Sequence, residues 1–124
     1  MNIMTVDDSR AVRLTVALAL KQAGHRVVEA ASGEDALELL KTEKVDLIIS
    51  DFNMPGMDGS QLVRLVKANP DYMAIPVIML TTENSKGRLS EAKEAGAMGW
   101  MNKPFKTEHL VKAVKSLSEK LGIP

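Results

Sequence analysis

The chain contains no cysteine, which excludes disulfides, thiolate metal sites and thiol chemistry and fits a reducing cytoplasm. It carries no net charge: Lys plus Arg and Asp plus Glu number 16 each. The basic excess usual in nucleic-acid binders is therefore missing. No run approaches the roughly 18 apolar residues of a membrane span, and the N-terminus lacks the charged-then-apolar layout of a signal peptide. No Pro/Gly/Ser-rich linker, repeat or low-complexity tract interrupts the 124 residues. These absences leave one domain of ordinary size, expected to be soluble and cytoplasmic.

What is present is an alternation. Apolar runs at Ile3–Val6, Val27–Ala30, Leu47–Ser50, Pro76–Leu80 and Gly99–Asn102 read as strands. The first four have the Val/Ile/Leu/Met content of strands buried on both faces. Segments of helical period lie between them. Val12, Val16, Leu20 and Ala23 precede a stop at Gly24, and Ser32 with Asp35 opens a helix through Ala36, Leu37, Leu39 and Leu40. Asp58-Gly59-Ser60 precedes Leu62, Leu65 and Val66, halted by Asn69-Pro70. A fourth helix ends at Gly96, with Gly87 weakening its first turns. The last places Leu110, Val114, Leu117 and Leu121 on one face. Such alternation, with right-handed crossovers, predicts an α/β domain: a parallel sheet with helices on both faces.

Ligands of such sheets sit beyond the carboxyl ends of the strands. Here those ends carry Asp7-Asp8, Asp51, Thr81-Thr82 and Lys103-Pro104. Taken singly, each has an ordinary reading: a helix cap at Asp8 or Ser9, a turn aspartate, a strand-forming Thr, a solvated Lys. Three carboxylates, a hydroxyl and an ammonium on one edge make a different proposition. Adjacent acids repel, and a dication offsets that repulsion. Mg²⁺ takes oxygen ligands and uses one or two carboxylates with phosphate oxygens. Phosphoryl transfer needs positioning and charge neutralisation, which metal and ammonium supply. Without metal, the clustered carboxylates should raise at least one pKa.

The set Asp7-Asp8, Asp51 within DFNMPGMDG, Thr81 within PVIMLTTE and Lys103 within NKPF resembles the receiver domain of two-component response regulators, over the full length of the chain. The freestanding length, FNMPGMDG and AGAMGWMNKPF are most similar to single-domain chemotaxis regulators within that family. The resemblance implies a flavodoxin-like (βα)5 doubly wound sheet of strand order 2-1-3-4-5, occupying residues 1–124. It also implies that Asp51 is the phosphoacceptor. Mg²⁺ would be bound by Asp7, Asp8, Asp51 and the backbone carbonyl of Asn53. Thr81 would contact the phosphoryl group as a switch, Lys103 would pair with it, and the Lys103–Pro104 bond would be cis. Asn53 and Glu83 match positions that tune phosphate lifetime.

A phosphate on Asp51 brings about two negative charges and three acceptor oxygens. Thr81 donating to one would draw in the loop from Thr82 to Arg88, expected to be mobile. Trp100 stands where receivers usually carry a Tyr or Phe that turns inward with Thr81; its indole is larger and lacks the phenol hydroxyl. An ordinary core Trp is the competing reading, and Met54, Met57, Met98 and Met101 suit a core or a partner surface equally. The family's output face is the fourth helix, fifth strand and fifth helix, here carrying Lys86, Trp100, Lys112 and Lys115. By the resemblance the donor is a chemotaxis histidine kinase and the target a flagellar motor switch protein. We expect a signalling monomer, rather than an enzyme, that assists its own phosphotransfer and slow dephosphorylation and binds neither nucleic acid nor membrane. A stand-alone phosphorelay shuttle shares every site residue. A haloacid dehalogenase-type phosphatase wants an acid at position 53, where Asn cannot protonate a leaving group. An FMN carrier wants a phosphate loop where the acidic TVDDSR stands. His25 and His109 show no ligand spacing and read as surface residues.

Overall fold

A computed structural model describes residues 1–82 and 89–124. Its order is β1 (Asn2–Val6), α1 (Arg10–Gln22), β2 (Arg26–Ala30), α2 (Gly33–Leu40), β3 (Leu47–Asp51), α3 (Gly59–Ala68), β4 (Val77–Thr81), α4 (Leu89–Ala95), β5 (Gly99–Asn102) and α5 (Thr107–Leu121). The strands form one parallel sheet in the order β2-β1-β3-β4-β5, the flavodoxin-like arrangement expected from the sequence. Gly87 and most of the loop from Thr82 to Arg88 lie outside the described residues, as do Glu83 and Lys86.

Strand residues alternate between two cores. Met4, Val6, Ile48, Val77 and Met79 meet α2, α3 and α4 through Ala36, Leu40, Leu62, Val63, Val66, Ala92 and Ala95. Ile3, Leu47, Ile49 and Leu80 meet α1 and α5 through Val16, Leu20, Leu110, Val114 and Leu117. Central β3 is buried along its whole length. The same was expected of β2, but only Ala30 is buried there. It is an edge strand, and its charged Arg26 and Glu29 face solvent.

Helix ends follow the local chemistry. Ser9 caps α1 by accepting from the Val12 N–H at 3.3 Å, so Asp8 is not needed as a cap. Gly24, at φ +96, takes the left-handed turn beyond α1 that a side chain would strain. Ser32 accepts from Asp35, and Asp58 forms a reciprocal capping box with Gln61. The apolar stripes are narrower than the sequence suggests. Leu65 and Leu121 are exposed, because each helix already fills its core face with its other apolar residues.

Candidate functional site

Parallel pairing delivers the site residues to one edge. Asp51 and Thr81 are the last residues of β3 and β4 and take part in the ladder, opposite Leu80 and Asn102. The β1–α1 turn is fixed from three sides. The Asp7 N–H donates to Ala30 carbonyl oxygen at 3.1 Å, the Asp7 Oδ1 accepts from the Ser9 N–H at 2.9 Å, and Arg13 donates to the Asp7 carbonyl at 2.6 Å. Beyond β3, Gly59 holds α3 against the phosphoacceptor candidate. A Cβ there would lie 2.5 Å from the Asp51 carbonyl oxygen and 2.2 Å from Met79 Cε, so only glycine permits the approach.

Asp7, Asp8 and Asp51 each offer a carboxylate oxygen within 4.8 Å of the others. Asp7 and Asp51 are buried, whereas Asp8 opens to solvent. Lys103 Nζ bridges the buried pair, 2.9 Å from Asp7 Oδ2 and 3.1 Å from Asp51 Oδ1. The Lys103–Pro104 bond is cis, as the resemblance implied. Burial pushes the Asp51 carboxyl above the ordinary carboxylate range, and the Asp7 charge pushes it further. The Lys103 ammonium and the Asn53 backbone N–H oppose both. One pKa is thus raised, as expected, with burial outranking repulsion as the cause. Burial alone would lower the Lys103 pKa, but its hydrogen bond to Asp7 and the charge of Asp51 outweigh that and raise it. An all-oxygen set with two buried carboxylates and one open to water fits a hard divalent cation that keeps some of its waters.

Asn53 is exposed in the loop after Asp51. The Thr81 hydroxyl is buried at the same edge and donates to Asn102 Oδ1 at 3.3 Å. Trp100 is not a core residue; it is 47% exposed on β5, beside Met98 at 56%. Lys112 and Lys115 are exposed on α5. Met54 and Met57 pack into the core cluster of α2 and α3, and Met101 against that of α1 and α5. His109 is exposed, whereas His25 is half-buried with Nδ1 3.1 Å from the Met1 nitrogen. Burial and that charge lower its pKa. An apolar groove of about 480 Å³ opens beside Lys103, between Val12 and Thr15 of α1 and Pro104-Phe105.

Sequence reasoning missed the brace behind Asp7, in which Arg13 also approaches Glu29 of β2, Nε to Oε1 3.5 Å. A signal was available. The first turn of α1 carries no acid, and Arg13 follows close behind, a basic residue near the helix end whose dipole disfavours it.

Residues 3–115 match the family model described as the response regulator receiver domain. A chemotaxis protein CheY homolog of Campylobacter jejuni is 41% identical over 107 residues, spanning 85% of this chain and 82% of that protein. The chemotaxis response regulator CheY4 of Vibrio cholerae superposes with a TM-score of 0.86 at 41% identity, covering 93% of this chain and 96% of its own. A signal receiver domain of a histidine kinase from Syntrophus aciditrophicus gives 0.88 at 34% identity, covering 96% and 90%. With its sheet order, its acidic edge and these relatives in agreement, the chain belongs to the response regulator receiver family and is of the CheY-like chemotaxis type.

Proposed function

We propose that residues 1–124 act as one monomeric, cytoplasmic receiver domain, phosphorylated on Asp51 by a chemotaxis histidine kinase and read by a flagellar motor switch protein. The observation that carries this reading is the Lys103 ammonium within 3.1 Å of two buried carboxylates, with a third acid at the open side. Nothing in a purely structural core calls for that arrangement.

An Asp51 carboxylate oxygen bonds to phosphorus as the phosphorus–nitrogen bond of the donor's phosphohistidine breaks, and the electron pair leaves with the imidazole. Asp7, Asp8, Asp51 and the Asn53 carbonyl would hold Mg²⁺, which when bound neutralises charge on the phosphoryl oxygens. Lys103 already rests against Asp51 and needs little reorganisation to pair with the acyl phosphate. Asp7 keeps that ammonium in place. The groove beside Lys103 gives the donor an approach. Thr81 then donates to a phosphoryl oxygen, and the change reaches the α4–β5–α5 face, where Met98, Trp100, Lys112 and Lys115 are exposed. Asn53 and Glu83 set how long the phosphate survives slow self-catalysed hydrolysis. The chemotaxis role rests on the relatives, whose names are those of chemotaxis proteins.

Fluorine NMR with beryllofluoride, a phosphoryl mimic, tests the reading. A bound resonance that requires Mg²⁺ and disappears in Asp51→Asn is expected. A bound resonance that persists in Asp51→Asn would place the acceptor elsewhere.

A further inference from the structure

β5 ends in a residue its strand does not want. Asn is among the poorest strand formers, yet Asn102 closes Gly99–Asn102 with a β-type pairing opposite Thr81. A local rule broken beside a functional group points to work done there. Register explains what that work is. Thr81 and Asn102 are direct cross-strand partners, so their side chains leave the sheet on the same face. The Lys103 N–H donates to the Thr81 carbonyl at 2.6 Å and closes the pairing just beyond them. The fully buried Thr81 hydroxyl donates to the Asn102 side-chain oxygen.

We infer that Asn102 is a positioning residue for the switch: it holds the Thr81 hydroxyl against β5 in the resting protein and must release it before Thr81 can bond a phosphoryl oxygen. The inference rests on the reading of Thr81 given above and adds to it a competitor for the same proton. A hydroxyl carries one hydrogen and donates to one strong acceptor at a time. At 3.3 Å the resting bond is longer than the 2.7–2.8 Å typical of hydroxyl donors. A bond to a charged phosphoryl oxygen is shorter and about twice as strong. The exchange therefore runs toward the phosphoryl group, but the resting bond lowers the apparent affinity for it, because only the released fraction is ready to bind. Release also has a place to be felt. Trp100 lies two residues before Asn102, on the same face of β5, and both are exposed. Freeing the Asn102 amide changes the surface that carries the indole.

Asn102→Val removes the acceptor and puts a good strand former in its place. In metal-free protein labelled at threonine methyls, the Thr81 methyl resonance should shift, reporting a hydroxyl that has lost its partner. With saturating Mg²⁺, beryllofluoride should bind Asn102→Val about 2- to 10-fold more tightly than wild type, the range expected for one neutral hydrogen bond. In a Thr81→Ala background the advantage should vanish, since no hydroxyl remains to be held. Equal affinities of wild type and Asn102→Val, or an advantage that survives Thr81→Ala, would overturn the inference. Failure of the wild type itself to bind beryllofluoride would instead overturn the reading of Asp51 as phosphoacceptor, and the role of Asn102 with it.

Discussion

β3 and β5 run parallel, end at the same edge and each deliver one half of the Asp51–Lys103 pair, yet they are built oppositely. β3 is sealed between two strands and two helix layers, and all five of its residues are buried. β5 is an edge strand that alternates half-buried and exposed residues. The proposed nucleophile, Asp51, thus sits on the part of the sheet least able to move, as in-line attack requires. The indole and its neighbouring amide sit where a shift costs little packing and is visible from outside. In the proposed function, chemistry and readout are separated by the width of two strands, and Thr81 on β4 lies between them.

That contrast can be broken by truncation. Phe52→Ala, next to Asp51 at the end of β3 and fully buried, should cost about 3–5 kcal/mol in urea denaturation. Trp100→Ala removes a larger ring but should cost about 1 kcal/mol, because nearly half of it already meets water. Similar costs would mean that β5 is as integral to the fold as the core at the end of β3. Lys103→Met should fall between the two, at about 2 kcal/mol, because it leaves two buried carboxylates without their cation. The Lys103 side chain keeps 17% exposure, so water and proton uptake by Asp51 soften the loss.

Titration sharpens the comparison further. A carboxyl whose folded pKa is raised contributes stability below its ordinary value of 3.8 and loses it as pH rises through the raised value. Metal-free Asp51→Asn should therefore melt higher than wild type at pH 7, and the gain should fade as the pH falls toward 3.8. Lys103, with its pKa raised, contributes below 10.5 and loses that contribution only as pH climbs through its raised value, so the neutral range reports Asp51. A gain independent of pH would refute this origin. Asp8→Ala should have the smallest effect on the metal-free protein, a slight rise in melting temperature from relieved repulsion at an exposed position. The same variant should lose the stabilisation that wild type gains from Mg²⁺. A lower melting temperature without metal would argue that Asp8 supports the fold.

Much of this edge was legible in the sequence because parallel topology sends every strand's carboxyl end to one side. Asp7, Asp8, Asp51, Thr81 and Lys103 needed only that rule. What escaped depends on neighbours that periodicity does not specify. β2 reads as apolar at Val27 and Val28, and only its place at the sheet edge leaves Arg26 and Glu29 in water. Leu14, Leu18 and Leu65 fit a helical period but exceed the face that each helix can bury. Trp100 reads equally as core or surface until β5 is known to be an edge. The Thr81–Asn102 bond spans 21 positions and follows from cross-strand register, which pattern alone leaves open.

The central claim, that the buried carboxylate at the end of β3 accepts the phosphoryl group, is tested most directly by intact mass. Wild type and Asp51→Asn would be incubated with acetyl phosphate, with Mg²⁺ and with chelator. One phosphoryl adduct on wild type, dependent on Mg²⁺ and missing from Asp51→Asn, is the result this account requires. An adduct of the same mass on Asp51→Asn, or none on wild type under any condition, would contradict it.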